Sequence, residues 1–111
     1  MDIEEINKQR KSLNEELAKN DEFFKVFGQL DDKVYTEGAI PKKYKELTGL
    51  SISVLTRCEE CILYHIQECL KVNANKQELL EVIKIGVIGG GSITYPSARY
   101  AIKVINELDV S

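Results

Sequence analysis

Three cysteines and one histidine fall within twelve residues of one another: Cys58, Cys61, His65 and Cys69, in the run Arg57-Cys58-Glu59-Glu60-Cys61-Ile62-Leu63-Tyr64-His65 and onward. A helix turns about 100° per residue, so positions 58, 61 and 65 share one face. Two thiols at that spacing can be bridged at a helix N-terminus, where the dipole also favours a thiolate. An unperturbed thiol has a pKa of about 8.5 and is only a few per cent ionised at neutral pH. Arg57 lowers that value and Glu59 and Glu60 raise it, so a general base matters here. An imidazole one turn along the same face can serve, because its ordinary pKa lies near working pH. Cys69 lies two turns beyond Cys61, beside Ile66 and Leu70, and reads as a buried core thiol.

Zinc is the competing chemistry for the same residues. Cys-x2-Cys-x3-His-x3-Cys has the donors of a zinc knuckle but is short by one residue in two places. Four ligands along one helix cannot easily surround an ion tetrahedrally, and glutamates interleave them here. The expected metal is therefore none, and no cofactor is expected.

The elements that must hold this cluster read as helices. Ile3, Ile6, Leu13 and Leu17 alternate by three and four residues, which predicts an amphipathic helix of about five turns. Asn20-Asp21 breaks it and caps a short apolar helix through Phe23, Phe24, Val26, Phe27 and Leu30. Asp31 to Gly38 reads as a polar connection. Pro41 fits the first turn of a third helix through Tyr44, Leu47, Val54 and Leu55. A fourth covers Glu59 to Lys71, and a fifth runs from about Lys76 to Val87 and ends at Gly89-Gly90-Gly91. A sixth starts near Tyr95-Pro96 and continues to Leu108. Ser51 to Thr56 is β-branched but sits between helical neighbours and is read as helix. The glycine run has no strand before it and no lysine after it, so it is an interhelical turn and not a phosphate loop. The fold class is all-α, about six helices, in one domain. Residues 1–19 form an N-terminal helix of the same unit, and residues 20–111 form the domain proper.

Composition excludes several functions. The chain has 111 residues, 15 Lys and Arg against 18 Asp and Glu, and a net charge of −3. A weakly acidic chain lacks the footprint for phosphate backbones, so no nucleic-acid partner is expected. The longest uncharged stretch, Ile85 to Ala98, is too short to span a membrane. The start, MDIEEINKQR, has no apolar run, so a cytoplasmic location is expected. Six short helices leave apolar faces that one small core does not cover, notably the Ile3–Leu17 stripe and the Phe23–Phe27 cluster, which predicts a homo-oligomer.

A family resemblance adds to this reading. Glu46, eleven residues, then Cys58-x-x-Cys61-x-x-x-His65 resembles the signature of the alkylhydroperoxidase D-like branch of the carboxymuconolactone decarboxylase superfamily. The Gly89–Gly91 turn followed by Tyr95 and an alanine-containing helix is similar too. The likeness covers roughly residues 20 to 108. It implies an all-helical fold assembled as trimers or hexamers, with thiol-dependent peroxidase or disulfide reductase activity. Carried over, Cys61 is the peroxide-attacking thiol, Cys58 its disulfide partner, and His65 and Glu46 the proton relay. A hydroperoxide or disulfide is the implied substrate and an external dithiol the reductant. Family peroxidases often carry a histidine between the cysteines, where this chain has Glu60.

Two other functions compete with this one. Lactone decarboxylation gives the superfamily its name but has no need of two thiols. A non-enzymatic helical assembly with a redox-sensitive disulfide is the other. Glu46 raises a geometric question as well: along one continuous helix it would stand about 18 Å from Cys58. It can approach His65 only if the third and fourth helices fold back near Arg57. Otherwise it is a solvated charge among Lys42, Lys43 and Lys45.

Overall fold

The computed structural model describes residues 1–111 and contains six α-helices and no strands. They are α1 (Ile3–Asn20), α2 (Glu22–Val34), α3 (Lys42–Leu55), α4 (Glu59–Lys71), α5 (Lys76–Gly90) and α6 (Tyr95–Glu107), with a single 3₁₀ turn at Ser92–Thr94. The contacts divide the chain into two compact units, Met1–Thr36 and Glu37–Ser111.

The first unit is the pair α1 and α2. Asp2 caps α1 by accepting from the Glu5 N–H at 3.0 Å. Asp21 ends α1 and caps α2, its carboxylate accepting from the Phe23 N–H at 2.9 Å. Neither helix has a buried residue: Leu13, Leu17, Phe23, Phe24, Val26, Phe27, Leu30 and Val34 are all exposed. Helix α2 runs to Val34, past the connection expected from Asp31 onward. Residues 31–34 are three charged residues and Val34, with no glycine or proline, so nothing in them breaks the backbone ladder.

The second unit holds the core. Helix α3 packs against α4 and α5, and α4 packs against α6. Leu50, Val54, Ile62, Leu63, Ile66, Leu79, Val104 and Ile105 are essentially sealed from solvent. Gly86 permits the close approach of α5 to α3: a Cβ there would lie 2.7 Å from the Ser51 carbonyl oxygen and 3.0 Å from Val54 Cβ. Pro41 stands just outside α3 as its N-cap rather than in the first turn. It offers no side-chain acceptor, and Glu37 supplies one, Oε1 accepting from the Lys42 N–H at 2.9 Å. Helix α5 continues through Gly90 and stops at Gly91, whose φ of 82° only glycine adopts freely.

Three non-glycine residues have positive φ: Arg57 (60°), Asn73 (65°) and Asp109 (52°). Each sits one residue past a helix C-cap and closes the same hydrogen-bonded ending. At Arg57, its own N–H donates to the Val54 carbonyl at 3.1 Å and the Cys58 N–H to the Ser53 carbonyl at 3.0 Å. That turn stops α3 and starts α4 within three residues, which folds the two helices back on each other.

Candidate active site

Cys58 is the N-cap of α4. Its extended backbone (φ −99°, ψ 101°) follows from the left-handed turn at Arg57. Its sulfur takes the role usually filled by a serine or aspartate oxygen, accepting from the Cys61 N–H at 3.2 Å. Cys61 lies in the first turn, and the two form a disulfide with Cα atoms 5.2 Å apart. Cys58 is half-buried and Cys61 is exposed, so solvent molecules reach the bridge from the Cys61 side. In the reduced protein the N–H aimed at Cys58 Sγ, together with the helix dipole, stabilises negative charge on that sulfur.

His65 lies one turn further along α4, with a side chain 16% exposed. Its Nδ1 is 2.9 Å from Glu46 Oε1. An Nδ1–H donated to that carboxylate orients the imidazole ring and raises the basicity of its other nitrogen. Glu46 is on the buried face of α3 with Leu47, Leu50, Ser53 and Val54, and its side chain is only 3% exposed. Burying a carboxylate is costly without partners. Here both oxygens have one, since Lys42 Nζ lies 3.0 Å from Oε2. The fold-back at Arg57 thus brings Glu46 alongside α4, and it is not a solvated charge.

Cys69 belongs to the core and remains a free thiol. Burial, with smaller contributions from the Glu46, Glu68 and Glu78 carboxylates, pushes its pKa up to about 12. A thiol held neutral to that degree is a poor nucleophile at physiological pH. No group of three or more His, Cys, Asp or Glu side chains is placed to hold a metal ion.

The sequence reading gave two neighbours no part in the site. Lys42 stands four residues before Glu46, and that i,i+4 spacing was the available signal. Tyr100 of α6 has its hydroxyl pKa raised, first by burial and then by the charges of Glu59 and Glu60 in the first turn of α4. Only the packing of α6 on α4 brings it there, and no local pattern announces it.

The chain belongs to the carboxymuconolactone decarboxylase family, whose model matches residues 21–107. An uncharacterised protein of Cupriavidus necator is 33% identical over 73 residues, which span 66% of this chain and 62% of that protein. An uncharacterised protein of the Paracoccus denitrificans cox locus is 26% identical over 84 residues, 76% of each chain. Among solved structures, a family member from Thermotoga maritima superimposes with a TM-score of 0.90 at 36% identity, covering 95% of this chain and 90% of that one. It is described as having a suggested involvement in the antioxidative response. An apo family member from Legionella pneumophila gives a TM-score of 0.79 at 30% identity, covering 94% and 90% of the two chains.

Proposed function

We propose that this protein is a thiol-dependent peroxidase and thiol–disulfide oxidoreductase. The single observation behind the proposal is the Cys58–Cys61 bridge at the start of α4, with the Glu46–His65 hydrogen bond one turn away. The antioxidative role suggested for the Thermotoga relative agrees with it.

The cycle begins with the reduced pair. His65 takes the proton of the Cys61 thiol and passes charge toward the buried Glu46 carboxylate. The Cys61 thiolate attacks the terminal oxygen of a hydroperoxide. The O–O bond breaks, the alkoxide leaves and takes up a proton as the alcohol, and Cys61 becomes a sulfenic acid. Cys58 then attacks the Cys61 sulfur and expels water, closing the bridge. An external dithiol opens it again by two exchanges and leaves as its own disulfide. No cofactor takes part.

Lactone decarboxylation gives no role to the bridge, so the peroxidase reading is preferred. The protein is proposed to act in the cytoplasm, without nucleic-acid or membrane partners, as a trimer or hexamer. The uncovered apolar residues of α2 support assembly. The test is peroxide turnover with a dithiol reductant, on the wild type and on Cys61→Ser. Multiple turnovers by the wild type and none by the variant support the reading. One equivalent consumed per chain, with no further turnover, marks a redox-sensitive assembly instead.

A further inference from the structure

Beside the disulfide lies a cleft of about 350 Å³, lined by Arg57, Glu59, Ile93, Pro96 and Ser97. Arg57 and Glu59 are the residues on either side of half-buried Cys58 in the chain. Its other wall is the start of α6 and the 3₁₀ turn before it.

Three observations mark this cleft as a built site. Arg57 holds a left-handed backbone, which long side chains rarely adopt. The two other positions of that kind carry asparagine and aspartate, which tolerate it. The arginine gains no ion pair in exchange, and Glu59, two residues on, makes none either. Ser97 is 4% exposed, yet its hydroxyl has no hydrogen-bond partner within the protein and lines the cleft. The hydroxyl is reached by solvent only through the cleft, because no buried side-chain oxygen or nitrogen of the protein lacks a partner, and a ligand in the cleft can take that solvent's place.

We propose that this cleft binds the α-amino-carboxylate head of a small thiol, an amino acid of the cysteine type, which reduces the Cys58–Cys61 disulfide. The proposal rests on the thiol–disulfide reading above and supplies the class of its reductant. The guanidinium offers a forked pair of donors to a carboxylate. The Glu59 carboxylate stands ready for the ammonium group, and the Ser97 hydroxyl completes the polar set. Ile93 and Pro96 cover the short carbon stem. A purely anionic ligand would meet Glu59, and a purely cationic one Arg57, so the paired charges select a zwitterion. The volume sits at the small end of ligand pockets, which suits a single amino acid.

The reaction balances with two such molecules in place of one dithiol. The first thiolate attacks a sulfur of the bridge, the S–S bond breaks, and the other sulfur leaves as a thiolate. A second molecule attacks the resulting mixed disulfide on its ligand sulfur and departs as the symmetrical disulfide. Two protons released by the two thiols are taken up by Cys58 and Cys61. The protein gains two electrons and the pair of thiols loses them.

The experiment measures reduction of the oxidised protein by cysteine, cysteine methyl ester and N-acetylcysteine, with rates expressed per thiolate. It is run on the wild type, Arg57→Gln and Glu59→Gln. Cysteine is expected to react with saturation and about fivefold faster than either blocked thiol, the scale of a partly exposed charge pair. Arg57→Gln should erase its advantage over the methyl ester, and Glu59→Gln its advantage over N-acetylcysteine. A general effect of either charge on the cysteines alters all three thiols alike, so the crossed comparison isolates recognition. Equal, unsaturating rates for all three thiols on the wild type overturn the cleft while leaving peroxidase activity intact. Absence of peroxide turnover with every reductant overturns the underlying reading instead.

Discussion

Glu46 and His65 are separated by nineteen residues in the chain and by 2.9 Å in space. The tight ending of α3 at Arg57 produces this approach, and the hydrogen bond orients the imidazole ring. Lys42 holds the far oxygen of the same carboxylate, so the three side chains form one connected polar chain leading to α4.

That chain contributes to stability. Glu46→Gln removes the charge that both neighbours face, inside a site almost closed to water. A loss of about 1–3 kcal/mol is expected, the cost of weakening a charge-assisted buried hydrogen bond. Thermal or urea denaturation of the oxidised protein measures it. Lys42→Met should cost less, because the lysine is partly solvated and Glu46 keeps His65.

The imidazole has a kinetic signature. If His65 accepts the thiol proton, His65→Gln slows alkylation of Cys61 in the reduced protein near neutral pH by about 10²–10⁴-fold. The deficit shrinks in alkali, where solvent supplies the thiolate. Glu46→Gln should shift the profile the same way but less. Circular dichroism checks that the variants are folded, and overlaying profiles would mean that His65 only packs.

Two backbone positions carry opposite expectations. Arg57→Gly relieves a left-handed residue and should raise stability by about 1 kcal/mol. Gly86→Ala drives a methyl group against the Ser51 carbonyl and Val54 and should lower it by about 1–3 kcal/mol. Paired urea titrations of the two variants give both signs in one series.

Cys69 makes a pH-dependent contribution. Its pKa in the folded protein, about 12, lies above the ordinary value of 9.0. A raised thiol pKa means that its contribution is fully present below pH 9 and is lost as pH rises from 9 toward 12. The slope is about 1.4 kcal/mol per pH unit in that window. Alkaline denaturation of the oxidised protein should therefore be steeper for the wild type than for Cys69→Ala, because Cys58 and Cys61 do not titrate while bridged. The same burial should protect Cys69 from alkylation in the native state.

Much of this arrangement is legible in the sequence because it is local. The spacing of Cys58, Cys61 and His65 needs only one helix and its N-terminus, and the structure supplies both. The buried stripe of α3 is readable as well, except that Glu46 falls on it among leucines. Helical periodicity alone does not tell such a carboxylate from a solvated one. What settles its place is the turn at Arg57, and an arginine gives no sign of a left-handed backbone as a glycine would. The same limit hides Ser97, Pro96 and Tyr100 from any reading of the cysteine segment. They reach it through the packing of α6 on α4, which carries no signature near residue 58. Helix α2 overruns its expected end because polar residues without glycine or proline are neutral toward continuation.

The central claim is that Cys58 and Cys61 together reduce one peroxide and end as a disulfide. The most direct measurement gives fully reduced protein a single equivalent of hydroperoxide and follows peroxide, free thiols and the disulfide map. The account predicts one peroxide consumed per chain, two thiols lost, a Cys58–Cys61 link and Cys69 unmodified, with Cys61→Ser consuming none. Unchanged peroxide, or a dominant link from Cys61 to Cys69, would contradict it.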